Sequence, residues 1–544
     1  MRGREHHRWW NHGSSTLLVY LSEMGTKSMK SHPKLNLATL AEVEEETTEK
    51  AYALRQKLGL VSGIFLFLVV LVLPTPAGVS PAAQRAGAVA VLMAIWWLTE
   101  ALPLYATALA PLVLYPLLGV LDARQAAAPY AEPTIFLFMG GFFLAMAMQR
   151  WELHKRIALV ILHILGTSPR RLILGFMTAT AVISMWVSNT ATAMMLFPIG
   201  LALVTRLEPT GARTGPHAQS RFGAALMLGI AYAASIGGVG TLIGTPPNAV
   251  FVGQAKQLFP DLAQIDFLRW MFVGLPYVLL FLPLAWYYLA FIFMKDQALI
   301  ESSTDPRAEL MHLGPVSRGE LGVMCIFFLA VFGWVFRSDL HIGSWVIPGW
   351  SNLFGINKWV DDSTVSVFVA LLLFAIPVDL KNGIFLLDWQ WAKKIPWGIL
   401  ILFGGGFSLA ESFQRTGLAA WLGGHLQGLA GIPLPLLIVT ICLAITFLSE
   451  LVSNTALAAM MMPLLGATAT AMGIHPYVLM IPATIAASSG FMLPVATPPN
   501  AIVFSSGYLT LPQMVRAGFV LDLLGAFLAT LVVYLIAIPL FGLK

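Results

Sequence analysis

Two polar triplets of the same composition, Ser188-Asn189-Thr190 and Ser453-Asn454-Thr455, each interrupt an otherwise apolar stretch. A half-helix ending at the serine presents unpaired carbonyls and a partial negative charge, which suits a cation. A half-helix beginning at the Asn-Thr pair presents free N–H groups and a partial positive charge, which suits a carboxylate. Asn and Thr are also good N-caps, so the bland alternative is a capped turn. Against it, the bend occurs twice and each copy has a matched partner downstream. That partner is Gly244-Thr245-Pro246-Pro247-Asn248 for the first triplet and Ala496-Thr497-Pro498-Pro499-Asn500 for the second. Paired prolines remove two donors and free the preceding carbonyls. In apolar surroundings this is tolerable only where the backbone lines a cavity or packs on protein. With the Ser and Asn side chains, these carbonyls form an oxygen-only set appropriate to a hard monovalent cation.

The triplets lie within a longer repetition. A shift of 265 residues places Phe138, Gly140, Gly141, Phe142, Leu144, Ala145, Gln149 and Arg150 on Phe403, Gly405, Gly406, Phe407, Leu409, Ala410, Gln414 and Arg415. The same shift superposes Ser184 and Pro198 on Ser449 and Pro463, and a slightly smaller one superposes the two Thr-Pro-Pro-Asn segments. The chain reads as a duplicated half. If the triplets mark hairpins that enter and leave on one side, five spans separate equivalent elements, and the second copy sits upside down. Inverted repeats with broken helices are a signature of secondary transporters, with the site near the midplane.

The elements that must position these residues are membrane helices. Of 544 residues, 58% are apolar and 11% charged, too few polar residues to surface a soluble protein of this length. Apolar segments of spanning length run near 59–75, 86–102, 104–120, 133–149, 222–255, 270–294, 320–336, 362–378, 395–413, 477–507 and 515–541, about eleven spans. The runs flanking the triplets, 171–187 with 191–204 and 437–452 with 456–472, are mostly too short to cross a ~30 Å core alone. They read as helical hairpins over 168–205 and 433–472, and 222–255 and 477–507 as broken helices. The fold class expected is therefore an all-α polytopic membrane protein. Residues 1–57 form a charged cytoplasmic tail, 58–294 a first half, 295–319 a cytoplasmic linker and 320–544 a second half.

Placing the tail inside puts Arg150, Lys155, Arg156, Arg170, Arg171, Arg206, Arg213, Arg221, Lys295, Arg307, Arg318, Lys381, Lys393, Lys394 and Arg516 on the cytoplasmic side, and leaves Arg85, Arg124, Lys256, Arg269, Arg337, Lys358, Arg415 and Lys544 outside. That bias supports an inside N-terminus and an outside C-terminus in a cell membrane. Ser15–Leu21 is too short and polar for a signal-peptide core, and Met24 or Met29 is an alternative start. Cys325 and Cys442 show no metal-ligand spacing and read as buried packing residues. The net charge of +5 arises in short loops, so membrane topology explains it and nucleic acid does not.

These motifs, with Trp96-Trp97-Leu98-Thr99-Glu100-Ala101 and Asp362-Ser363-Thr364-Val365, resemble the divalent anion/sodium symporter (DASS) family over about residues 58–544. These are the INDY-like dicarboxylate and citrate transporters. The resemblance implies a homodimer whose protomers each have a scaffold domain and an elevator-like transport domain. One sodium site would use Ser184, Ser188, Asn189 and the Gly244 carbonyl. The other would use Ser449, Val452, Asn454 and the Ala496 carbonyl, Val452 and Ala496 contributing backbone only. A small dicarboxylate would meet Asn189, Thr190, Asn454 and Thr455, with Thr245, Thr497 and Pro498 lining the pocket. Ser449 stands where the bacterial dicarboxylate members usually have Thr, and Thr245 where many have Ser. Both keep a hydroxyl.

An ionisable residue within a span is a functional candidate by default. Glu100, at a span end, reads as structural or interfacial. Glu450 reads either as tuning the cation site, as a proton carrier or as a hydrogen-bonded structural carboxylate, while Glu411 and Asp522 have no assigned role. His154 and His163 read as interfacial. The expected function is sodium-coupled import of a C4-dicarboxylate such as succinate, malate or fumarate, with no cofactor beyond the coupling ions. The alternatives are a sodium-independent dicarboxylate exchanger and a sodium-coupled carrier of citrate or sulfate. An enzyme would need a nucleophile–base or metal set that the sequence lacks.

Overall fold

The computed structural model describes residues 54–543, apart from 167, 208–220, 295–309, 312, 343–344, 426–427 and 429–430. The N-terminal tail up to residue 53, both alternative starts and most of the linker lie outside the described residues. The apolar segments fold as helices, the form that pairs every backbone donor and acceptor within one segment where water is absent. The first part comprises α1 (Leu54–Val72), α2 (Pro81–Thr99), α3 (Pro133–Arg150), α4 (Leu153–Leu165), α5 (Pro169–Ser184), α6 (Asn189–Leu207), α7 (Arg221–Gly238), α8 (Pro246–Leu258) and α9 (Phe267–Tyr287). The second comprises α10 (Arg318–Val335), α11 (Asp362–Ala375), α12 (Trp397–Thr416), α13 (Leu418–His425), α14 (Leu434–Ser449), α15 (Asn454–Ala471), α16 (Tyr477–Ala487), α17 (Pro498–Phe504) and α18 (Leu511–Val532).

Among the described residues, seven helical stretches are long and apolar enough to cross a bilayer by length and composition. They are Leu54–Val72, Pro81–Thr99, Ala123–Arg150, Arg221–Gly238, Phe267–Phe293, Arg318–Val335 and Leu511–Phe541. Other expected spans are shorter helices, such as Leu104–Leu117, Asp362–Ala375 and Tyr477–Ala487. The expectation of helix alone needs one correction. Two antiparallel hairpins, β1 (Leu340–Ile342) with β2 (Trp345–Ile347) and β3 (Pro377–Asp379) with β4 (Ile384–Phe385), occupy connections between helices. The second forms because the Asp379 carboxylate accepts the N–H groups of Lys381 and Asn382, and Gly383 supplies the positive φ of the turn.

Helix ends are capped where the sequence offers a short polar side chain. Asp266 accepts from Arg269 N at the start of α9, Ser317 and Glu320 form a capping box on α10, and Thr510 with Gln513 forms one on α18. Placement follows exposure: 94% of α7 is buried within the chain, against 11% of α1. Helix α7 is therefore central, and α1 lies at the rim with Leu58, Phe65 and Leu68 outward, a face suited to lipid. Cys325 is exposed rather than buried, because it shares the outward face of α10 with Leu321, Phe328 and Phe332; Cys442 is buried.

Small residues let backbones meet where the centre is tightest. A Cβ on Gly237 of α7 would lie 2.4 Å from the Ala181 carbonyl oxygen of α5. Helix α3 meets α11 in the same way, with Gly140 against the Ser366 backbone and Ser366 Oγ donating to the Leu137 carbonyl at 2.6 Å. Polar contacts join the helix ends: Arg337 reaches Asp362 at 2.6 Å and Asp266 at 3.6 Å, and Phe267 N donates to Asp362 at 2.8 Å. The Trp96–Ala101 motif docks α2 on α1, where a Cβ on Gly63 would lie 2.7 Å from Trp96 Nε1 and the exposed Glu100 pairs with Arg55 at 3.1 Å.

Candidate functional site

Both triplets lie at helix breaks. Helix α5 ends at Ser184 and α6 begins at Asn189; α14 ends at Ser449 and α15 begins at Asn454. Ser188 acts as the N-cap of α6, its Oγ accepting from Ala191 N at 3.3 Å, so this residue plays the capping part that the bland alternative gave it. Ser453 makes no such side-chain bond, and Leu457 N donates to its carbonyl at 2.9 Å. The two broken helices are interrupted between Gly238 and Pro246 and between Ala487 and Pro498, with Thr245 and Thr497 as N-caps of α8 and α17. Prolines at the first helical positions explain the clean restarts, since the missing donors there have no partner to lose.

The first break gathers oxygens. Ser184 Oγ lies 2.7 Å from both Asn189 Oδ1 and the Ala234 carbonyl oxygen and is fully buried. Asn189 Oδ1 lies 2.4 Å from where a Cβ on Gly238 would stand, and Gly238 O lies 2.4 Å from where one on Gly244 would stand. Asn189 with its partner Ser184 on one side and Gly244 on another thus pack against Gly238, and glycine at 238 is what lets Asn189 approach. Asn248 closes the arrangement: its side-chain amide donates to the carbonyls of Gly238 at 3.3 Å, Val239 at 3.4 Å and Thr241 at 2.7 Å.

The second break repeats this at a shift of 252 residues, with Asn500 donating to the carbonyls of Gly490 at 3.1 Å and Leu493 at 3.0 Å. A Cβ on Gly490 would lie 3.3 Å from Ser449 Oγ and 3.3 Å from the Ala496 Cβ, so the Ser449 hydroxyl and the Ala496 methyl flank Gly490. One difference is that Ser449 Oγ donates to Thr446 O within its own helix at 2.7 Å. Val452 is buried in the turn before Asn454. Asn454 Oδ1 is buried without a hydrogen-bond partner among the described residues, as are Oδ1 of Asn248 and Asn500. Oxygens of this kind, with hydroxyls and carbonyls beside them, fit a sodium ion.

The two halves interlock at these breaks. Helix α6 packs on α17 and α8 packs on α15. From α8, Gln254 Nε2 reaches the carbonyls of Ala459 on α15 at 3.1 Å and Gly406 on α12 at 2.9 Å. Thr190 is half-buried in the first turn of α6, and Thr455 is buried in the first turn of α15. Thr245 and Thr497 are buried, and Pro498 opens α17.

Sequence reasoning missed Gly238 and Gly490 and the clamping role of Asn248 and Asn500. The shift that aligns the Thr-Pro-Pro-Asn segments was the signal for both pairs. It also left Glu411 and Glu450 without partners. Glu411 accepts from Gln257 Nε2 at 2.7 Å and pairs with Arg415, joining α12 to the end of α8. Glu450 accepts the backbone N–H groups of Met492 and Leu493, each at 2.8 Å. His154 is buried and bonded to the Met148 carbonyl at 3.0 Å, whereas His163 is exposed. Among the described residues no group of three or more His, Cys, Asp or Glu side chains is placed to hold a metal.

Comparison with known proteins identifies the family. Residues 54–543 match the family described as the sodium:sulfate symporter transmembrane region. The sodium-dependent dicarboxylate transporter SdcS of Staphylococcus saprophyticus is 42% identical over 497 residues, covering 91% of this chain and 93% of that protein. The protein of the same name from Staphylococcus aureus is 40% identical over 490 residues, covering 89% and 92%. Among solved structures, the Alcanivorax borkumensis YdaH transporter aligns with a TM-score of 0.53 at 15% identity over 84% of this chain and 98% of that one. Neisseria gonorrhoeae MtrF aligns with a TM-score of 0.51 at 11% identity over 92% and 97%, and both show a likeness of fold. The chain belongs to the sodium:sulfate symporter family, the divalent anion/sodium symporters of the sequence resemblance, and is a multi-pass membrane transporter rather than an enzyme.

Proposed function

We propose that this chain is a sodium-coupled symporter importing C4-dicarboxylates such as succinate, malate or fumarate. The observation that carries the reading is the repeated gathering of polar oxygens at the two breaks, Ser184 Oγ with Asn189 Oδ1 and the Ala234 carbonyl beside Gly238, and Ser449 Oγ beside Gly490, each next to a helix start. Sodium would be held by Ser184, Ser188, Asn189 and the Gly244 carbonyl, and by Ser449, Val452, Asn454 and the Ala496 carbonyl. The substrate carboxylates would be held by Asn189, Thr190, Asn454 and Thr455, with Thr245, Thr497 and Pro498 lining the pocket. Neither triplet nor either Thr-Pro-Pro-Asn segment contains Lys or Arg. A dianion at membrane depth therefore needs sodium charge and helix N-termini as compensation. The names of the relatives at 40–42% identity support dicarboxylate over sulfate as substrate.

In the same reading, residues 58–294 and 320–544 are inverted halves around a 295–319 cytoplasmic linker, with an inside N-terminus. The helix pairs α5–α6 and α14–α15 are re-entrant hairpins, and the transport domain of each protomer of a homodimer moves as an elevator. The repeated break geometry supports the inversion; the family resemblance carries the dimer and the movement. The test is uptake of labelled succinate into proteoliposomes with sodium or choline outside. Uptake should collapse in choline, succinate affinity should rise with sodium, and by linkage sodium affinity should rise equally with succinate. Undiminished uptake in choline, driven by internal dicarboxylate, would make the protein an exchanger. Sodium-driven uptake of labelled sulfate with none of labelled succinate would make it an inorganic-anion carrier.

A further inference from the structure

The inverted copies differ in one buried feature. In the second half, Glu450 follows Ser449 at the end of α14, and Asp522 lies on α18; they are 3% and 0% exposed. Glu450 Oε1 and Oε2 accept Met492 N and Leu493 N, and Asp522 Oδ1 accepts Phe491 N at 3.2 Å. Three successive N–H groups of the unwound stretch leading to Ala496 are thus held by two carboxyl groups. Asp522 Oδ2 has no donor among the described residues, and neither acid forms an ion pair there with a basic side chain. The nearby Tyr232 and Tyr277 hydroxyls are engaged elsewhere, with Met514 O at 3.5 Å and Ser489 Oγ at 3.4 Å.

The first half lacks this device. The Thr-Pro-Pro-Asn shift places Val239 and Thr241 on Phe491 and Leu493, and Gly274 against Val239 O corresponds to Gly518 against Phe491 O. Counted in the same registers, Glu450 and Asp522 correspond to Met185 and Val278. There the stretch is held through its carbonyl side, by Trp270 Nε1 on Val239 O at 2.9 Å, while Thr241 Oγ1 donates to Met185 O. The carboxyl pair is therefore no requirement of the repeated fold.

We propose that Glu450 and Asp522 are positioning residues of the second cation site: their oxygens hold the three successive N–H groups of Phe491, Met492 and Leu493 and so set the backbone leading to the Ala496 carbonyl. This rests on the sodium-symport reading.

The test uses the full-length protein in proteoliposomes and in detergent, reading half-saturating sodium from succinate uptake and from sodium-induced thermal stabilisation. Asn at 522 keeps an acceptor for Phe491 N, so Asp522→Asn should hold half-saturating sodium within about threefold of wild type. Asp522→Ala removes the acceptor for Phe491 N, and Glu450→Gln offers one acceptor for two N–H groups. Each should raise half-saturating sodium by roughly tenfold or more, with a smaller change in half-saturating succinate at saturating sodium. If Asp522→Asn is as impaired as Asp522→Ala, or Glu450→Gln leaves half-saturating sodium unchanged, the proposal is wrong. Should Glu450→Gln not accumulate, the Asn and Ala variants of Asp522 decide. A wild-type protein with no sodium response would overturn the symport reading itself.

Discussion

Asn248 and Asn500 stand 252 positions apart, yet each directs its side-chain amide at the carbonyl of a glycine ten residues earlier, Gly238 at 3.3 Å and Gly490 at 3.1 Å. Each also holds a second carbonyl of the same unwound stretch, that of Thr241 or Leu493. The amide is a donor where the broken helix exposes acceptors, so an acceptor in its place should repel them. Asn248→Asp and Asn500→Asp should each abolish sodium-dependent succinate uptake. Each should also lower stability by about 1–3 kcal/mol through unsatisfied buried carbonyls. Thermal unfolding in detergent measures the second effect, and a variant with wild-type melting and uptake would show that the clamp is dispensable.

Gly238 is tested by the smallest possible side chain. Its Cβ would meet Asn189 Oδ1 at 2.4 Å, so Gly238→Ala should push Asn189 aside and remove sodium dependence. Gly87 is the control, because a Cβ there would meet only Leu418 Cδ2, at 3.6 Å. Gly87→Ala should transport normally. Equal uptake by both variants would separate Gly238 from the cation site.

Thr190 and Thr455 open α6 and α15 in the two halves. If both helix starts serve one substrate, Thr190→Ala and Thr455→Ala should each weaken succinate affinity by about tenfold to a hundredfold, the worth of a hydrogen bond to a charged group at roughly 1.5–3 kcal/mol. Membrane abundance should stay near normal. Cysteines at these positions, in a background lacking Cys325 and Cys442, should both be protected from a thiol reagent by succinate with sodium. Protection of one alone would make the other hairpin structural.

The class of protein was legible in the sequence because membrane burial is written in composition and segment length, which do not depend on how helices pack. The repeated triplets and Thr-Pro-Pro-Asn segments were legible for a related reason: a helix break leaves a local signal in Ser, Asn, Thr and Pro. What could not be read was which distant groups meet at the breaks. Ser184 finds the Ala234 carbonyl 50 residues away, and Glu450 finds Met492 and Leu493 after 42 and 43 residues. The clearance that makes Gly238 necessary exists only once α5, α6 and α7 are packed together. Cys325 looked like a core residue because its neighbours in sequence are apolar; the packing of α10 turned it outward, since in a membrane an apolar face can be either core or surface. Local sequence thus determined where the helices break and what chemistry the breaks expose, and tertiary packing decided which carbonyls, amides and carboxyls close around them, because each of those contacts joins segments whose separation along the chain carries no record of their distance in space.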